Sequence, residues 1–485
     1  MELTFIGALQ CAIGLAIVLT GSLRSIFAFL VGSSLFGGSA SILLPALGGS
    51  SIPPAEFALV FVYLRILAPH GGYSYALPGA LRANLWLVLF TAYGIAISYL
   101  GPRIFANAMD VAPMRPVESS DLFETLPLAP TAQNFTSAFY MFGTLLVALS
   151  SFILTRHSRN GMATLVSCAI AIGWAHLFLG CAVVAATGTP LADFFELFRN
   201  GGYAQLNQSF QGFVRIRGLF PEASGYAEYG FAWFVINAEL WYRSIRPRAT
   251  GPVALGLAMV LVFSTSSTAY FGLGAYTVWF LLRPMLVRSA RSGVRLAQFA
   301  AAAMGICVIV SILLMVMPEL PLRFIDMVQA MTLEKSASES GQQRFFWALQ
   351  GWDAFKFSYG IGIGPGSFRS SSFFFAVMGS TGVIGLASLA LYLLRVLQPT
   401  RRSTYGRAAT IELTVGGAFG TAAILSQIPA LVSSPTADLG TNFAILAGAA
   451  VGLRPSLWRS TPESQKTGTS PPLLLASSLE APQEC

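Results

Sequence analysis

Charge is what this chain has least of. Asp, Glu, Lys and Arg make up 10% of its 485 residues against 54% hydrophobic, and the mean hydropathy is +0.65. A soluble protein is excluded, because a chain of this length has nowhere to hide so much apolar surface. Cysteine is scarce too. Cys11, Cys168, Cys181 and Cys307 sit inside apolar runs and Cys485 in the tail, so no CxxC or Cys/His spacing offers a metal site or a disulfide framework. No acid cluster of the Asp-x-Asp type stands between the apolar runs, so the expected chemistry uses neither metal nor cofactor. Internal repeats and paired interrupted helices are also missing, which weakens a transporter built on repeat symmetry. The one excess is basic, a net charge of +8 with arginine far ahead of lysine. It does not imply nucleic acid, because the arginines lie in short segments between apolar runs, where the positive-inside rule puts them.

What is present is a series of apolar runs at 3–20, 25–48, 55–68, 83–101, 135–155, 162–186, 226–242, 251–282, 297–317, 373–395, 409–429 and 438–453. A membrane helix needs about 20 such residues, so the runs predict an all-α polytopic membrane domain over 1–453. The opening stretch lacks a basic leader and a cleavage site and is expected to be the first membrane helix. Short basic segments at 155–161, 242–250, 283–295 and 398–407 are expected in the cytoplasm, and the long segments 103–134, 187–225 and 318–372 outside. One run breaks the alternation: 251–282 has basic segments at both ends and must cross an even number of times. The polar "FSTSSTAY" (263–270) at its centre predicts two short helices bent at 264–268. This gives about 12–13 membrane segments, the N-terminus outside and the C-terminus cytoplasmic. The Ser-, Thr- and Pro-rich tail 454–485 is expected to be disordered.

Two outer segments hold unusual charge for so uncharged a chain. "FVRIRGLFPEASGYAEYGFAWF" (213–234) puts Arg215, Arg217, Glu222 and Glu228 at the mouth of a helix, and 322–368 puts Arg344 at the head of a helical stripe of Phe345, Ala348, Leu349 and Trp352. A guanidinium grips phosphate oxygens through two parallel hydrogen bonds and keeps its charge, so two arginines from separate segments suit a lipid pyrophosphate as leaving group. Arginines beside membrane helices also serve as headgroup anchors, and spacing alone leaves both roles open. Glu222 has the chemistry of a general base for a sugar hydroxyl, and equally that of a helix cap or an ion-pair partner of Arg217. His176, inside an apolar run without an acidic neighbour in sequence, is expected to pack, and Arg65 to snorkel from its helix end.

"YGIGIGPGSF" (359–368) invites comparison with nucleotide loops. A Walker loop needs Gly-Lys-Ser/Thr and this one has no lysine; a dinucleotide fingerprint needs glycine at 365, which is Pro365. The alternating glycines instead predict a tight loop ahead of the run at 373, with backbone in close approach to a neighbour or a ligand.

Taken together, "SASESGQQRFFWALQGWDAFKFSYGIGIGPGSF" followed by "MGSTGVIGLASL", the upstream "RIRGLFPEASGYAEYG" and the Thr/Ser-rich "VFSTSSTAYFGLGAY" resemble the O-antigen ligase and Wzy-type polymerase superfamily over about residues 210–390. The resemblance implies a glycosyltransferase-C-like membrane fold and a metal-independent transferase acting on undecaprenyl-pyrophosphate-linked glycan at the periplasmic face of a bacterial inner membrane, with a chain-length regulator as a possible partner. It makes Arg217 and Arg344 the pyrophosphate pair and matches Glu222 to an acidic position of the polymerases. Beside them, Arg215, read as the anchoring member of its pair with Arg217, and Trp347, Gly362 and Gly364 are expected along the substrate. Where many ligases carry His-Asn, this chain has Ser371 and Ser372, and serine cannot act as an imidazole base at neutral pH. That favours a repeat-unit polymerase over a ligase. A lipid-linked glycan flippase is the rival from another class, which ought to hold charge near the bilayer midplane.

Overall fold

Apolar runs in a lipid core leave the backbone few ways to satisfy its own polar groups, and helix is the local one. The computed structural model describes residues 1–45, 49–69, 72–115, 123–201, 209–210, 213–286, 292–316, 339–399 and 410–454. Along them run α1 (Phe5–Thr20), α2 (Leu23–Ser33), α3 (Pro54–Ile66), α4 (Leu77–Ala83), α5 (Leu85–Ile104), α6 (Ala132–His157), α7 (Gly161–Ala186), α8 (Leu191–Glu196), α9 (Ala223–Tyr242), α10 (Pro247–Phe263), α11 (Ser267–Leu286), α12 (Ser292–Val316), α13 (Glu339–Phe357), α14 (Phe373–Val396), α15 (Ile411–Leu425) and α16 (Gly440–Gly452). The fold is mostly helical. Five described stretches are long and apolar enough to cross a membrane: α5, α6, α7, α14 and the stretch Ile411–Val432 that begins with α15. Helices α1, α2, α10 and α16 are apolar but shorter. Bulky apolar side chains face outward from several of them, Leu19 of α1 being 83% exposed, as a lipid-facing surface requires.

Helix α9 is the hub. It packs against α7, α10, α11 and α15, and nearly all of it is buried, including Tyr226, Phe231 and Trp233. A helix buried all round needs apolar residues on every face, which is how 226–242 reads. A second group joins α14 to α5 and α13, and a third lays α16 along α6.

Two runs differ from their expected form and a third follows it. The run 25–48 is not one helix: α2 ends at Ser33, and Ile42–Leu44 forms the middle strand of a small antiparallel sheet between Glu2–Leu3 and Ser50–Ile52. The turn between them lies against the segment before α9, where the Gly38 N–H donates to Leu219 O at 2.8 Å. The run 83–101 has its break at Asn84, where α4 stops and α5 starts. The run 251–282 does divide as its polar centre suggests, between α10 and α11 at Ser264–Ser266, all three buried, with Thr265 at φ +52°. Tail residues 455–485 and the stretch 317–338 of the third long segment lie outside the described residues.

Candidate active site

The glycine loop is explained by the helix that follows it. Gly382 breaks α14 with φ +57° and ψ −153°, which frees backbone groups inside a buried helix. The loop takes them up: Ile363 N donates to Gly379 O at 2.9 Å, Gly364 N to Ser380 O at 3.0 Å, and Val383 N to Gly360 O at 2.8 Å. Such an approach admits no side chain. A Cβ on Gly362 would lie 2.5 Å from Ser380 O, and one on Gly364 2.6 Å from Ile97 O of α5, while both residues hold φ above +90°. The Gly362 N–H goes to Ser358 Oγ at 2.9 Å. Gly362 and Gly364 are therefore buried with their donors occupied. The expected placement along the substrate is corrected accordingly: these glycines lock the loop to α14 and α5 and offer a ligand no amide. Tyr93 and Asn134 hold its other carbonyls, at Ile361 and Pro365.

The loop fixes the junction between α13 and α14, and with it Arg344 and Trp347. Ser371 Oγ donates to the Arg344 carbonyl, and the Arg369 guanidinium lies 4.1 Å from the centre of the Trp347 ring. Trp347 is thus a stacking platform for Arg369 at the base of α13. Further along, α13 exposes Phe345, Leu349 and Trp352, the stripe read from the sequence.

Glu222 is the N-cap residue of α9 by position, with extended backbone, but its side chain makes no capping bond and instead accepts from Ser224 Oγ. Arg215 reaches the break between α10 and α11, donating from Nη2 to Thr265 O at 3.2 Å, while its Nε is buried with no partner. A helix C-terminus is where a cation belongs. Burial lowers the Arg215 pKa, the Glu222 carboxylate and Tyr270 work against that, and Arg344 adds to it, so Glu222 and Arg344 each lie within electrostatic reach of Arg215. Segments more than a hundred residues apart in the chain are brought together here.

Arg217 turns elsewhere. Its Nη2 lies 3.3 Å from Glu196 Oε1, and Arg199 binds the same carboxylate while donating to Gly218 O at 3.0 Å. Burial and then Arg199 lower its pKa, and Glu196 opposes them. The arginine that shares a charge environment with Arg344 is Arg215, whereas Arg217 ties the segment before α9 to α8.

Sequence reasoning marked Glu228 without giving it a role and missed Glu56 and Asp438 inside the bundle. Glu228, one and a half turns into α9 from Glu222, accepts from Ser433 Oγ at 3.4 Å and senses the Glu222 charge. Glu228 and Glu56, in the first turn of α3, line a cavity of about 220 Å³ together with Ser33, Ser34, Tyr229, Gln427, Thr441 and Asn442. Glu56 Oε1 accepts from Thr441 Oγ1 at 3.3 Å, and its Oε2 is buried without a partner. Asp438 stands behind it, accepting from Thr144 Oγ1 at 2.8 Å and Gly440 N at 3.2 Å. The signal was available: Glu56 is an acid at the head of an apolar run, and an ionisable group there is a functional flag. His176 packs as expected, its ring 3.9 Å from that of Tyr226. Among the described residues no group of three His, Cys, Asp or Glu is arranged to hold a metal. No family model and no curated protein matches this chain in sequence.

Proposed function

We propose that this protein polymerises lipid-linked oligosaccharide repeat units at the outer face of a bacterial inner membrane, within a helix bundle of about 12–13 membrane segments. The observation that carries the reading is that Arg215, from the segment before α9, is within electrostatic reach both of Glu222 at the head of that helix and of Arg344 from a separate segment. Two guanidiniums from separate segments bind a pyrophosphate and take up the charge it gains on leaving. In the transfer, an acceptor hydroxyl oxygen bonds to the anomeric carbon of the donor glycan. The bond from that carbon to the pyrophosphate oxygen breaks, and its electron pair leaves with the undecaprenyl pyrophosphate. The hydroxyl proton passes to the Glu222 carboxylate, which accepts a hydrogen bond only from Ser224 among the bonds described above. The exposed Phe345, Leu349 and Trp352 stripe suits a helix lying against lipid beside that site.

Ser371, in contact with the Arg344 backbone, supplies no imidazole where the ligases of the resembled superfamily carry one, which favours polymerase over ligase. A flippase for the same lipid-linked glycan is the second reading, favoured by the Glu56 and Glu228 carboxylates inside the bundle. Deleting the gene and analysing the lipid-linked glycan separates the three. Single repeat units on lipid at the outer face indicate a lost polymerase. Long unattached chains indicate a lost ligase, and repeat units trapped on the inner face a lost flippase.

A further inference from the structure

Resting on that reading, we infer that the cavity between Glu56 and Glu228 is a carbohydrate subsite, which receives uncharged sugar rings of the lipid-linked glycan beside the pyrophosphate-binding arginines. Its walls come from the end of α2, the starts of α3, α9 and α16, and the stretch after α15. Under the alternation read from the loops, each of these ends lies on the outer side. The lining is rich in acceptors and holds no lysine or arginine: two carboxylates face it together with the hydroxyls of Ser33, Ser34, Tyr229 and Thr441 and the amides of Gln427 and Asn442. An anionic headgroup would find no cation there. A ligand that presents many hydroxyl donors would find acceptors on opposite walls.

Two of those acceptors are unspent. Glu56 Oε2 and Asn442 Oδ1 are buried with no hydrogen-bond partner, and a buried acceptor left unpaired carries an uncompensated desolvation cost. A ligand hydroxyl is the group that would complete them. Size separates a sugar from a bare cation. A water needs about 10–15 Å³ of such space, so about 220 Å³ is room for a ring and its substituents and far more than a dehydrated ion occupies. Phe36, Phe220 and Phe443 add apolar wall, with the Phe220 and Tyr229 rings packed 4.9 Å apart, a surface fit for the C–H face of a pyranose. Glu228 links this cavity to the reaction centre, since it lines the one and feels the charge of Glu222 in the other.

The test is binding by the full-length protein in lipid nanodiscs, read by saturation-transfer NMR with a panel of neutral methyl glycosides. Transfer is expected in the wild type, weakened about tenfold in Glu56→Gln, which replaces one of the two carboxyl oxygens with an N–H donor. It should vanish in Ser34→Phe, which fills the cavity, with melting temperatures checking that both variants fold. Arg344→Lys should keep the transfer. No transfer from any glycoside in the wild type, or equal transfer in both cavity variants, overturns the inference. So does a rise in melting temperature with sodium that Glu56→Gln abolishes, which would make the cavity a cation site. This readout needs no lipid carrier and no turnover, so its failure is distinct from failure of the polymerase reading, which the glycan of the deletion strain decides.

Discussion

The two ends of α9 handle charge in opposite ways. At the end near Tyr242, Glu239 is 0% exposed and ion-paired through both oxygens, with Arg283 Nη1 at 2.7 Å from one and Arg243 Nε at 3.4 Å from the other, while the Arg283 guanidinium also lies 3.8 Å from the centre of the Tyr242 ring. At the end near Ala223, Arg215 keeps a buried unpartnered Nε, and Glu222 and Glu228 have only serine hydroxyls described against them. The helix rises about 1.5 Å per residue, so Glu222 and Glu239 stand roughly 25 Å apart on one rod. Charge met by opposite charge holds helices together; charge left without a counter-charge is what a ligand can use. The difference separates residues whose loss should unfold the protein from residues whose loss should silence it.

The sharpest way to break that contrast is Glu239→Gln. It leaves Arg243 and Arg283 buried without their carboxylate and should cost about 3–5 kcal/mol. The variant should accumulate poorly and melt well below wild type in detergent; normal melting would show that the pairing is idle. Next, Arg344→Lys and Arg215→Lys should each lower polymer output about a hundredfold or more. Both should leave membrane levels and melting unchanged. Wild-type polymer length on a gel from both variants would remove the clamp. Between these classes stands Gly362→Ala, which forces a Cβ toward Ser380 O at positive φ and should destabilise by about 1–3 kcal/mol. Loss of polymer without any fall in melting temperature would instead return Gly362 to the substrate. The smallest effect belongs to Arg217→Lys, because lysine can still pair with Glu196 and the change should stay below about 1 kcal/mol. Loss of polymer as complete as in Arg344→Lys would restore Arg217 to the pyrophosphate pair.

Composition and periodicity alone determined that this chain is helical and apolar, because a lipid core tolerates little else and the runs are long enough to show it. They also marked the polar break at 264–266 and the helical stripe after Arg344. Other features depend on neighbours far away in the chain. Residues 42–44 look as apolar as any helix, yet they pair with strands at 2–3 and 50–52, and strand partners leave no local trace. The glycines of 360–366 announce a tight turn but not its purpose, which is set by a kink at Gly382 whose neighbouring carbonyls take the Ile363 and Gly364 amides. Arg215 and Arg217 are alike in sequence, and only packing sends one to Thr265 and the other to Glu196. The carboxylates of Glu56 and Glu228 become two walls of one cavity only in the folded bundle, because a charge pattern along a chain carries no record of which helix ends will share a space.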